Sequence, residues 1–96
     1  MPSRVRRDFR EERVILGELL RRTRFDRHLS QEGLASHLGK KHSFMSRIES
    51  GDQILDVVAL VDLLQAMKVD PCDFMREFAE RCKAPKSDLT RGHFRL

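Results

Sequence analysis

The chain has 96 residues, which is room for one small domain with one core of modest depth. Its 19 Lys and Arg residues against 15 Asp and Glu residues give a formal net charge of +4, which suits a polyanionic partner without identifying one. The longest apolar run is far too short to span a bilayer, and nothing at the N-terminus resembles a targeting segment. We therefore expect a cytoplasmic protein that makes no membrane contact.

Cys72 and Cys82 lie ten residues apart, which fits neither a disulfide framework nor a zinc knuckle. Both fall where a helix is expected, so we predict that they are small buried apolar residues. No cofactor and no metal is expected from the rest of the sequence either.

Apolar residues recur at helical spacing through most of the chain and predict five helices and no strand. The first pattern carries Leu16, Leu19 and Leu20 on one face and ends before a turn that starts at Asp26. Its start is open, because residues 1–13 can form either a loose basic arm or an extension of this helix.

The second helix is predicted to start after Ser30, a good N-cap residue, and to stop at Gly39. A third helix runs from about Lys41 to Ser50, and Gly51 suits the left-handed residue that ends it. The fourth helix follows the N-cap residue Asp56.

The dipeptide Asp70-Pro71 is a typical helix start and opens a fifth helix that runs through about Cys82. The sequence from Ala84 to Ser87 then breaks the helical pattern. We therefore predict an all-α, five-helix domain over residues 14–83, followed by a tail over residues 84–96.

A helical wheel divides the third helix into two arcs. Phe44, Met45 and Ile48 form an apolar arc, which we expect to pack on the second and fourth helices. The opposite arc is polar and consists of His42, Ser43, Ser46, Arg47 and Ser50. On its own this is an ordinary amphipathic helix with a solvated face, so the assignment depends on its neighbours.

Two short helices joined by a tight turn form the helix-turn-helix layout, in which the second helix enters the major groove of DNA. The polar arc has suitable chemistry, because Arg pairs with guanine O6 and N7 while Ser and His bond base edges. Lys40 and Lys41 lie at the turn, where they can contact phosphates.

Combined, these residues resemble the family of small regulators related to phage Cro and phage repressors, the xenobiotic-response-element type. The resemblance covers about Val14 to Met75 and is carried by Leu16-Gly17-Glu18, Arg24, Leu29-Ser30-Gln31-Glu32, Leu34-Ala35, Leu38-Gly39, Ser43, Ser46-Arg47-Ile48-Glu49, Gly51, Leu60, Leu64, Met67, Val69 and Pro71. It implies a compact lambda-repressor-like DNA-binding domain.

The resemblance also implies residue roles. Gln31 would touch phosphate, and Arg24 would pair with Glu49 to hold the first helix on the third, although a surface ion pair is the alternative. The bases would be met by His42, Ser43 and Arg47, with Ser46 close to them. The sequence departs from the family at Lys40, at Lys41, which replaces a capping Ser or Thr, and at Ile54-Leu55 in the following loop.

The last two helices carry more apolar residues than so small a core is expected to hide. One interpretation is that all of them are internal. The other is a two-fold dimer interface formed by Ile54, Leu55, Phe74 and Phe78. The N-terminal arginines leave a similar choice between contacts with DNA and a salt-balanced helix.

An enzyme is not expected, because no cysteine lies near a candidate base and no glycine-rich phosphate loop is present. No paired carboxylate at helical spacing is found for His28, His37, His42 or His93. His37 and His42 are expected on the surface rather than at a metal. The sequence thus predicts a homodimeric regulator, most simply a repressor, that binds specific sites in double-stranded DNA. The alternative is an antitoxin-like or adaptor module that uses the same fold to bind a protein partner.

Overall fold

Five helices form in the order that the sequence predicts. The structure, a computed structural model, describes residues 9–83. The helices are α1 (Arg10–Asp26), α2 (Gln31–His37), α3 (His42–Ser50), α4 (Val57–Ala66) and α5 (Pro71–Lys83). No strand occurs within the described residues, which confirms the all-α fold class.

Side-chain caps start three of the helices as predicted. At the start of α5, the Asp70 carboxylate accepts a hydrogen bond from the Cys72 amide at 2.8 Å. The Ser30 hydroxyl accepts a hydrogen bond from the Gly33 amide at 2.9 Å, and the Asp56 carboxylate accepts one from the Ala59 amide at 2.8 Å. Each bond satisfies a backbone N–H that has no partner within its helix. Helix α3, in contrast, starts after Lys41 without a side-chain cap, as its sequence predicts.

The core consists of apolar side chains from all five helices. Its fully buried members are Leu19, Leu20, Met45, Leu63, Leu64 and Met67. Helix α3 packs mainly against α1 and α2, so the predicted packing on the second helix is confirmed, whereas α1 takes the place expected for the fourth. Helix α5 packs against α1 and α4, and α4 also packs against α2.

Gly17 allows the closest approach between two helices. A Cβ atom at this position would lie 2.4 Å from the carbonyl oxygen of Glu49 and 2.6 Å from that of Ile48. Because those atoms belong to the backbone, they cannot move aside as a flexible side chain would. A glycine in the middle of α1 therefore lets it cross directly over the last turn of α3.

The predictions for the cysteines are wrong in one case. Cys72 is exposed and Cys82 is partly buried. Cys72 is the second residue of α5, and the buried residue of this helix is Phe74, two positions further on. None of the helices within residues 9–83 is long and apolar enough to cross a membrane.

Candidate nucleic-acid interface

The turn between α2 and α3 is short, open and basic. Gly39 has φ of +71°, in the left-handed region that favours glycine, and no atom lies within 4 Å of where its Cβ would be. Lys40 and Lys41 follow it and are both exposed. The Lys40 ammonium lies 5.3 Å from the centre of the Phe44 ring, a cation–π contact that the sequence analysis missed.

Helix α3 has one buried face and one exposed face. Met45 and Ile48 are only 1% and 2% exposed, and they fix the rotation of the helix about its axis. The predicted polar arc, His42, Ser43, Ser46, Arg47 and Ser50, is exposed at every position. The structure therefore presents these side chains together on one side of the domain.

A buried ion pair anchors the end of α3 to α1. Arg24 donates to both carboxylate oxygens of Glu49, through Nε at 2.7 Å and Nη2 at 3.0 Å. Their side chains are only 8% and 4% exposed, which excludes the alternative of a surface pair. Arg24 also donates from Nη1 to the Leu29 carbonyl at 2.9 Å, and so joins α1, the start of α2 and α3.

Gln31 extends this ion pair towards the exposed face. Its amide nitrogen donates to Glu49 Oε1 at 2.9 Å, and its amide oxygen lies 2.8 Å from His42 Nε2. The sequence predicts Gln31 and His42 separately as DNA contacts and does not indicate that they bond each other. The two residues are eleven positions apart and are the first residues of α2 and α3. The pattern of either helix alone therefore does not reveal the bond between them.

The last turn of α3 is held by backbone and side-chain contacts. Gly51 has φ of +89°, as its predicted role at the helix end requires, and its carbonyl accepts a bond from Arg13 Nε at 3.0 Å. Asp52 accepts from Arg10 at 2.8 Å and from the Ser50 hydroxyl at 3.1 Å. The bond from Arg10 and then the bond from Ser50 hold the pKa of the Asp52 carboxyl below its ordinary value.

Arg47 is exposed one turn before Gly51. Its Nε lies 3.3 Å from the Gln53 side-chain oxygen, and its carbonyl accepts bonds from the Asp52 and Gln53 amides. The backbone of Arg47 is thus held in place, whereas its side chain makes a weak contact in which another acceptor can replace Gln53.

His37 has an acidic neighbour that the sequence analysis did not anticipate. Its Nε2 lies 3.2 Å from Asp62 Oδ1, and both side chains are about half exposed. Asp62 is 25 positions along the chain, so helical spacing could not reveal the pair. Among the described residues, no group of three or more potential ligands is placed to hold a metal ion.

An apolar patch lies at the start of α4 and in the loop before it. Ile54, Val57 and Val58 are 70%, 66% and 77% exposed. Of the other residues predicted for a dimer interface, Phe74 is only 4% exposed and belongs to the core of the single chain, so it offers almost no exposed surface to an interface. Leu55 and Phe78 are partly buried against that core.

Of the predicted basic N-terminal arm, residues 1–8 lie outside the described residues, as does the tail over residues 84–96. The described part favours a helix extension, because α1 already begins at Arg10. Arg10 and Arg13 bond to Asp52 and to the Gly51 carbonyl, so both reach the end of α3.

Comparison with known proteins relates this geometry to a family. The helix-turn-helix domain family matches residues 15–75. No curated protein matches the chain. Among solved structures, the restriction-modification controller protein C.AhdI from Aeromonas hydrophila is 29% identical, with a TM-score of 0.64 over 71% of this chain and 99% of its own.

Two further structures show the same fold. The clp gene regulator ClgR from Corynebacterium glutamicum is 24% identical, with a TM-score of 0.70 over 94% of this chain and 92% of its own. The restriction-modification controller protein C.Esp1396I is 17% identical, with a TM-score of 0.64 over 72% of this chain and 91% of its own. All three align over nearly their whole length with a large part of this chain.

Proposed function

The chain belongs to the helix-turn-helix domain family and is a regulator of the Cro and phage-repressor type, and from this premise we propose that it binds specific sites in double-stranded DNA as a homodimer and represses transcription from them. The observation that carries the proposal is the exposed face of α3, which combines five polar side chains with a buried opposite face. A helix held in this way can enter the major groove without moving any core residue.

Within this face, Arg47, Ser43, Ser46 and His42 would contact base edges. Arg47 has the guanidinium geometry for two parallel hydrogen bonds to guanine. Since a 3.3 Å contact to Gln53 is weak, Arg47 exchanges it for a base at little cost.

Lys40, Lys41 and Gln31 would contact the phosphate backbone. The two lysines are exposed at the turn that precedes α3. The Gln31 amide nitrogen carries two hydrogens, of which the bond to Glu49 uses one, so the other can be donated to a phosphate. These contacts would increase affinity for all sequences alike.

Site selection from a random pool of duplexes tests the base contacts. We expect the wild type to enrich a defined site, and Arg47→Ala to lose about 1–3 kcal/mol of discrimination at one position in each half-site. Gln65→Ala, on the exposed side of α4, is the control and should select the wild-type site. A wild type that enriches no site would contradict sequence-specific binding.

Salt dependence tests the phosphate contacts. Replacing Lys40 and Lys41 together with Gln should flatten the dependence of log K on log salt by roughly 0.9 for each phosphate that the variant no longer neutralises. An unchanged slope would place both lysines off the DNA. A wild type with no salt-dependent mobility shift at all would support the adaptor function instead.

The homodimer rests on the apolar patch formed by Ile54, Val57 and Val58. These three side chains lie within five residues of each other and are mostly exposed in the single chain. Pairing about a two-fold axis would bury the same patch on both subunits and present two α3 helices on one side of the duplex, about 34 Å apart.

Val58→Glu is the sharpest test of this interface. Because Val58 is 77% exposed, the substitution should leave the fold intact, dissociate the dimer and weaken binding to a full palindrome more than to a half-site. Ala79→Glu, exposed on α5, makes the same change in charge and should leave the dimer unaffected. Sedimentation that finds a monomeric wild type at tens of micromolar would refute the homodimer.

A further inference from the structure

Four side chains form a continuous hydrogen-bonded series from α1 to the first residue of α3. Arg24 donates to Glu49, Gln31 lies between Glu49 and His42, and every link is between 2.7 and 3.0 Å. The series starts with a buried ion pair and ends at an exposed imidazole on the proposed reading face. The donor and the acceptor of each hydrogen bond can be derived, because the Arg24–Glu49 end of the series admits only one assignment of hydrogens.

The carboxylate of Glu49 determines how the Gln31 amide is oriented. An ionised carboxylate accepts hydrogen bonds and donates none, and both of its oxygens already receive bonds from the Arg24 guanidinium. The Gln31 atom that lies 2.9 Å from Glu49 Oε1 must therefore be the amide nitrogen. The reverse orientation would place two acceptors against each other at this distance.

The orientation of Gln31 in turn determines the tautomer of His42. With its nitrogen bound to Glu49, Gln31 presents its carbonyl oxygen to His42 Nε2 at 2.8 Å. A carbonyl oxygen only accepts, so Nε2 must carry the hydrogen. A neutral imidazole has one N–H, and Nδ1 is therefore left as an acceptor.

We propose that the buried Arg24–Glu49 pair, acting through Gln31, fixes neutral His42 with its hydrogen on Nε2, so that Nδ1 accepts a hydrogen bond from a base amino group in the major groove. The amino groups available there are adenine N6 and cytosine N4. His42 then accepts a hydrogen bond from a base, whereas Arg47 can only donate one. The groove contact rests on the proposed function, whereas the tautomer does not.

Nitrogen-15 NMR of the histidine rings in the full chain tests the tautomer directly, at a mildly alkaline pH where imidazoles are neutral. We expect His42 to carry its hydrogen on Nε2 in nearly all molecules. His37 is an internal reference, because its Nε2 faces the Asp62 carboxylate. In Gln31→Met the His42 ring should relax to the tautomer mixture of a short histidine peptide, while the control Gln65→Met should retain the wild-type signal.

Modified operators test the groove contact. The position that loses discrimination in His42→Ala is first located by site selection, and its base pair is then rebuilt without the amino group or, separately, with a 7-deaza purine. Removing the amino group should weaken wild-type binding roughly 2- to 10-fold, the range of one neutral hydrogen bond, and should have little effect on His42→Ala. Removing purine N7 should have little effect on either protein.

The outcomes separate the two proposals. An Nδ1–H tautomer in the wild type, or a tautomer unchanged in Gln31→Met, overturns the inference even if the chain binds specific DNA. A 7-deaza purine that weakens binding while the amino deletion does not overturns the groove contact. Failure to select any site overturns the proposed function together with the groove contact, and the NMR result then stands as the test of the tautomer alone.

Discussion

The two ends of α3 differ in how firmly the rest of the chain holds them. At the C-terminal end, Glu49 is buried in an ion pair, Gly51 packs against α1, and Gly17 brings the helices into direct contact. At the N-terminal end, Lys41 provides no cap and the Gly39 turn has open space around it. One end fixes the helix and the other is accessible, which is the division that a reading helix needs.

The largest effect is expected from removing the anchor. Glu49→Ala leaves the Arg24 guanidinium buried without its partner and should lower the free energy of unfolding by about 3–5 kcal/mol. Glu80→Ala is the control, because Glu80 lies 3.9 Å from Lys83 in an exposed pair worth about 0–1 kcal/mol. Urea denaturation measures both, and similar small losses would show that the buried pair does not anchor α3.

The two turn glycines allow a matched comparison of the ends. Both have positive φ, so either replacement with Ala should cost about 1–2 kcal/mol for the left-handed backbone. At Gly51 the new Cβ would also lie 2.8 Å from a methyl carbon of Val14 and 3.1 Å from its backbone, which adds an overpacking cost of about 1–3 kcal/mol. Gly51→Ala should therefore lower the thermal midpoint clearly more than Gly39→Ala, and equal shifts would contradict the difference in packing.

A gain of stability is expected at the accessible end. Lys41→Ser supplies the missing N-cap acceptor and should raise the free energy of unfolding by about 1 kcal/mol. The reverse change at a helix that has its cap, Ser30→Ala, should lower the free energy of unfolding by a similar amount. If Lys41→Ser is neutral or destabilising, the uncapped start of α3 is not a stability deficit.

The smallest effect concerns the acid dependence of the anchored end. The pKa of Asp52 is lower in the folded chain than its ordinary value, so the carboxylate stabilises the fold above about pH 4, the usual Asp range, and this contribution is lost as the pH falls through the lowered value. Thermal midpoints of the wild type and Asp52→Asn should converge below that range. A difference that stays constant on acidification would exclude a role for the Arg10–Asp52 pair.

Local signals in the sequence are sufficient for the helices and their caps. Ser30, Asp56 and Gly51 act on amides and carbonyls within a few residues, so their roles can be identified without knowledge of the tertiary structure. The Arg24–Glu49 pair is 25 residues apart, and only the resemblance to phage repressors indicates it. The Gln31–His42 bond escapes prediction because it depends on how two helices meet.

The pattern of apolar residues predicts less well which side chains are exposed. Helical spacing in the sequence predicts one apolar stripe along α4, formed by Val57, Leu60, Val61, Leu64 and Met67. Within this stripe, however, Val57 is 66% exposed and Leu60 only 6%. Leu63 does not belong to that stripe and is fully buried. Because apolar residues surround most of α4, periodicity cannot show which side of the helix faces the core. The helices that pack against α4 determine which of its side chains are buried.

Buried and exposed residues alternate along α3, and this has an evolutionary consequence. Met45, Ile48 and Glu49 hold the helix, while Ser43 and Ser46 lie exposed between and beside them. Single substitutions at the exposed positions can therefore change the preferred operator without first requiring a compensating change in the core. His42 is the exception, since its ring is bonded through Gln31 to the buried pair. The preferred DNA sequence of this chain should therefore change readily through substitutions at Ser43, Ser46 and Arg47. A substitution at His42 should be accepted only together with a change that accommodates Gln31.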